Sequence, residues 1–102
     1  MLDKLKDIDS RFEEINLQIS DPAVIANQDK YVALMKELNE ITEIVKYYRE
    51  YKDTLKGIDD VYLMLKENSD DSDFKEMLQE ELHELEAKKL VLEQKLKILL
   101  LP

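Results

Sequence analysis

The chain contains no cysteine, one glycine, one histidine and two prolines in 102 residues. Without cysteine there is no disulfide framework, no thiolate zinc site and no thiol nucleophile, and the composition suits a reducing compartment, so a cytoplasmic location is expected. A single glycine excludes a glycine-rich phosphate loop. The scarcity of glycine and proline also argues against the turn-rich profile of a β-sandwich. Apolar runs such as Ile98 to Leu101 fall far short of the ~20 residues that span a bilayer, and no charged leader precedes an apolar stretch at the start. No membrane partner is expected.

What remains is rich in Leu, Glu and Lys, with 38% charged residues, the composition of long helices. The length suits one domain over residues 1–102, able to bury about two thirds of its unfolded surface. The net charge of −9 divides as −2 over 1–19, −2 over 27–68 and −4 over 69–102, with Asp21 supplying the rest. No segment is basic, and gripping phosphates requires clustered Lys and Arg, so direct nucleic-acid binding is not expected. A basic protein partner suits this surface better.

Apolar periodicity defines three helical tracks. Met1, Leu5, Ile8, Phe12, Ile15 and Ile19 follow one another at steps of three and four, predicting helix 1 over about 2–19. Ser20-Asp21-Pro22 ends it, since proline disfavours helical geometry in the residue before it, and Ala23 to Ala26 is expected to form one short turn. Asn27 is the expected N-cap of helix 2, about 28–67, whose series is Tyr31, Leu34, Leu38, Ile41, Val45, Tyr48, Tyr51, Leu55, Ile58, Tyr62 and Leu65. Two successive steps of three at Val45, Tyr48 and Tyr51 resemble a local heptad slip. Gly57 inside this run is read as a slight bend, with close packing as the other possibility. The polar stretch Asn68 to Asp73, which includes Ser69, separates helix 2 from helix 3, about 72–99. Helix 3 carries Leu78, Leu82, Leu85, Leu92, Leu96 and Leu99, with Lys89 interrupting the seam.

Short breaks favour antiparallel neighbours, so the expected fold is all-α: an antiparallel three-helix bundle, or coiled-coil-like hairpin, with a long central helix. Helices 1 and 3, at about 28 and 42 Å, cannot both run the length of a central helix of about 60 Å. A two-helix tip is therefore expected near residues 58–75. Ile98, Leu99, Leu100 and Leu101 together point in every direction around a helix, and something outside these residues is expected to cover them.

Little in the chain points to chemistry. Glu80 and His83 have the Glu-x-x-His spacing of di-iron bundles, but those sites need two such motifs and further inward carboxylates. His83 follows the seam residue Leu82 and should face solvent, so no metal and no cofactor is expected. Exposed acidic pairs such as Glu80 with Glu84 lack the contrasting environments that separate two carboxyl pKa values. Tyr47, Tyr48 and Tyr51 could stack on bases, yet Glu43, Glu50 and Asp53 surround them, so Tyr48 and Tyr51 are read as core. The segment by itself is expected to be no enzyme. Asp70, Asp71 and Asp73, at the tip, are the candidate partner contacts, and reversing their charge is expected to leave the fold intact.

Several stretches resemble the N-terminal helical domain of the bacterial class I peptide chain release factors. They are Asp21-Pro22 within Ser20 to Ala26, the closing Leu99-Leu100-Leu101-Pro102, Arg11-Phe12-Glu13-Glu14, Tyr31 through Glu37, Tyr48 through Lys52, and Glu76 through Leu82. Ile25 stands where the UGA-reading type usually has tryptophan, which favours the type that reads UAA and UAG. The resemblance implies a complete protein that enters the ribosomal A site and promotes peptidyl-tRNA hydrolysis through a Gly-Gly-Gln loop. Neither that triplet nor the codon-reading Pro-x-Thr occurs in residues 1–102. For this segment it implies positioning and ribosome contact at the large-subunit stalk base, and packing beside the remaining domains of the same protein. The competing reading is an autonomous helical scaffold or self-associating coiled-coil adaptor.

Overall fold

The computed structural model describes residues 1–68 and 70–102; Ser69, within the expected polar break, lies outside the described residues. Of the described residues 88% are helical, and none lies in a strand. Its elements are α1 (Leu2–Gln18), α2 (Pro22–Ile25), α3 (Gln28–Glu67) and α4 (Ser72–Leu99). The fold is thus all-α with a long central helix, as the periodicity predicts. Contacts divide it into two units, residues 1–47 and 48–102, and α3 contributes to both.

The first unit is built by its caps. α1 stops one residue earlier than expected, because Ile19 is already its C-cap. Asp21 then starts α2: its carboxylate accepts the Ala23 N–H at 2.9 Å, and Pro22 takes the first helical position, where no N–H is needed. The expected single turn is therefore a capped helix of four residues. Asn27 caps α3 as predicted, its side-chain oxygen accepting the Lys30 N–H at 3.3 Å. These short stops let Val24 join Ile15 and Leu34 in a buried cluster, with Ile19, Leu38 and Ile41 packed around it. Leu5 and Ile15 of the predicted α1 stripe are buried, whereas Met1 is exposed.

In the second unit the rest of α3 pairs with α4. The Tyr51 hydroxyl donates to Glu93 at 3.3 Å, and the Tyr62 hydroxyl, further along α3, donates to Glu86, earlier on α4, at 3.2 Å. The two helices therefore run antiparallel as a hairpin. Leu78, Leu92 and Leu96 are buried, as the leucine spacing predicts, and Lys89 is half-buried between them.

The α3 seam departs from its predicted course after Tyr51. Buried positions continue as Thr54, Ile58 and Val61; Leu55 is only half-buried, and Tyr62 is 52% exposed against 1% for Val61. Each step of three turns the contact face back by about 60°. The slip at Val45, Tyr48 and Tyr51 takes one more such step, to Thr54, before the ordinary alternation resumes. An apolar-only reading misses this because the residue there is threonine. Its hydroxyl is satisfied by donating to the Glu50 carbonyl at 2.8 Å, so it can be buried.

Gly57 also reads differently in three dimensions. α3 passes through it as one helix, and a β-carbon added there would lie 3.4 Å from Leu85 Cδ1, an ordinary contact distance. The glycine is a packing position facing Leu85.

Candidate interaction surface

α4 begins where Asp71 accepts the Phe74 N–H at 3.1 Å. Of the three aspartates singled out in the sequence, Asp71 therefore has a structural task, while Asp70 and Asp73 are exposed around it. Reversing all three charges would remove the cap along with the acid, at a cost of about 1 kcal/mol. The acidic N-terminal turn and Lys97 in the last turn are arranged as the helix dipole favours.

Negative charge is concentrated in one stretch of the hairpin. Residues 58–86, which run down the end of α3, through the connection and up the first half of α4, hold eleven carboxylates and two lysines, a net −9. Residues 1–57 carry −3 and residues 87–102 carry +3, so this stretch equals the net charge of the whole chain. A division by predicted helix splits the block at residue 68 and hides it; a window centred on the connection would have found it. Beside it lies a shallow cleft of about 410 Å³ lined by Ile58, Tyr62, Glu86, Lys89 and Leu90. Its edge is held by the Tyr62–Glu86 hydrogen bond, and that carboxylate pushes the Tyr62 hydroxyl pKa upward. Burial, and then Glu93, does the same to Tyr51.

The other candidate groups are placed away from chemistry. His83 and Glu80 are exposed, and among the described residues no group of three His, Cys, Asp or Glu side chains could hold a metal ion. Tyr48 and Tyr51 are buried, as predicted, and Lys52 Nζ lies 4.8 Å from the Tyr48 ring centroid. Tyr47 is half-buried, with Lys46 Nζ at 5.8 Å from its ring. Among the described residues no helix is long and apolar enough to cross a membrane.

In the first unit, Arg11 makes two parallel hydrogen bonds to Glu37, Nε to Oε1 at 2.7 Å and Nη2 to Oε2 at 2.8 Å, and Nη1 reaches Glu14 at 3.1 Å. The Arg11 hydrogen bonds hold the Glu37 carboxyl below the usual carboxylate range, and the carboxylates in turn raise the guanidinium pKa. All three residues fall within stretches that carried the family resemblance. The sequence gives no direct sign that they meet, because the pair is 26 residues apart.

Fold and surface together define an all-α module that presents an acidic helical hairpin. Residues 8–102 match the PCRF domain family, and the chain belongs to that family. It is 49% identical over all its 102 residues to peptide chain release factor 1 of Carboxydothermus hydrogenoformans, covering 28% of that protein. Identity is 44% to the proteins of the same name in Alkaliphilus oremlandii and Enterococcus faecalis, again over the whole chain and covering 29% and 28% of them. The chain thus spans under a third of the length of the curated relatives it matches. No solved structure matches it.

Proposed function

We propose that this region is the N-terminal positioning and ribosome-contact domain of a peptide chain release factor that directs translation termination at UAA and UAG. In this reading the acidic hairpin docks on a basic protein at the stalk base of the large subunit. Codon reading and peptidyl-tRNA hydrolysis belong to domains beyond residue 102. The observation that carries the reading is the block of net −9 over residues 58–86, on a chain whose relatives are named as release factors. A dense field of one sign accelerates encounter with a complementary surface by tenfold or more, on the order of 10 to 10³. It also makes that encounter sensitive to salt.

The test uses the full-length factor carrying D70K and D73K, with Asp71 retained so that the α4 cap survives. Association with ribosomes should slow on the order of tenfold at low salt, and its salt dependence should flatten. Equal association rates for variant and parent across the salt series would remove the acidic tip from the docking step.

A further inference from the structure

The cleft beside the acidic block is apolar within and charged at its edge. Ile58, buried, forms its floor. Tyr62 of α3 and Leu90 of α4 form its walls, and these two large side chains remain 52% and 62% exposed. Glu86 stands one helical turn before Leu90, with its Oε1 accepting the Tyr62 hydroxyl at 3.2 Å. That bond holds the ring and the carboxylate in place, so the cleft is formed before any partner arrives. A carboxylate accepts several hydrogen bonds, so Glu86 can also take a partner's cation without releasing Tyr62. Lys89, half-buried, completes the lining.

The surrounding charge selects the occupant. Ile58, Tyr62 and Glu86 belong to the stretch 58–86, whose net charge is −9. A second copy would bring the same negative charge against it, and nucleic acid or anionic lipid would bring phosphates, so each is repelled. The volume of about 410 Å³ lies at the small end of ligand sites, and a shallow cleft cannot enclose most of a small molecule's surface. It suits one large side chain delivered by a protein, and a tyrosine wall is typical of such anchor sites. We propose that the cleft of Ile58, Tyr62 and Leu90 receives a single leucine, methionine or phenylalanine side chain carried on a lysine- and arginine-rich segment of a partner protein, with Glu86 pairing to an adjacent cation. This contact rests on the reading of the hairpin as a release factor's docking element, and it adds a short-range step to that reading. The acidic field governs how fast the partner arrives, and the cleft governs how long it stays.

The test uses the full-length factor with ribosomes and reads association and dissociation rates separately. L90S removes one apolar wall without changing charge, and because Leu90 is exposed the buried seam of Leu78, Leu92 and Leu96 is untouched. V91S is the control, since Val91 is 55% exposed and adjacent in the chain but outside the cleft lining. L90S should dissociate about tenfold faster while associating within about twofold of the parent rate, at low and high salt alike. E86Q keeps an acceptor for the Tyr62 hydroxyl and should also dissociate faster at low salt, with the difference vanishing at high salt. Parent dissociation rates for both variants would overturn the proposal, and so would V91S accelerating dissociation as much as L90S. Loss of self-association in L90S without ribosomes would assign the cleft to a second copy and overturn it too. The docking reading fails separately: unchanged association of the D70K and D73K variant would refute it, whereas slowed association of that variant with parent dissociation rates for L90S and E86Q would refute the cleft alone.

Discussion

Arg11 and Glu37 face each other through two parallel hydrogen bonds, Nε to Oε1 at 2.7 Å and Nη2 to Oε2 at 2.8 Å, fixing α1 against the first part of α3. The fork of the guanidinium matches the carboxylate, a geometry that lysine cannot reproduce. Both side chains are about one third exposed, at 35% and 38%, so solvent screens the pair and its main effect is on register.

The pair makes stability depend on acid. Glu37 has a folded pKa below its unfolded value of about 4.3, so it contributes stability above that pH and loses it as pH falls through the folded value. Thermal melts of the parent and E37Q should differ at pH 7 and converge as pH falls below about 4. A constant difference over that range would mean that the carboxylate charge contributes nothing.

Gly57 should be replaceable with gain. Its helical backbone and the 3.4 Å distance from an added β-carbon to Leu85 leave room for one methyl group. G57A should stabilise by about 0.5–1 kcal/mol, chiefly by restricting the unfolded chain. Urea unfolding would report this as a higher midpoint at unchanged slope. A lower midpoint would show that Leu85 cannot make way.

Asp71 should behave unlike its neighbours. D71A removes the acceptor of the Phe74 N–H and should cost about 1 kcal/mol, with faster hydrogen exchange at Phe74. D71N retains an acceptor and should lose much less. D70A and D73A should lie within about 0.5 kcal/mol of the parent. If D70A matched D71A in stability, the cap would not be the feature that starts α4.

Much of the architecture was legible locally. The predicted limits of α3 and α4, 28–67 and 72–99, coincide with those observed, since capping side chains and prolines act within a few residues of the backbone they terminate. The course of the seam through α3 was less legible. Its turn onto Thr54 and Val61, away from Leu55 and Tyr62, depends on where α4 lies, and α4 is remote in sequence. The candidate surface was half visible: its aspartates stood out, while the carboxylates of α3 and α4 that complete it were counted with separate helices.

The sequence by itself determined that this protein is helical and acidic, and where its two long helices begin and end. These follow from short-range chemistry: side-chain caps, three-to-four periodicity and the residue types present. Only the tertiary structure decided that Arg11 meets Glu37 and that Gly57 sits against Leu85. Those pairings join residues far apart along the chain, and they are selected by how whole helical faces pack, which no local pattern encodes.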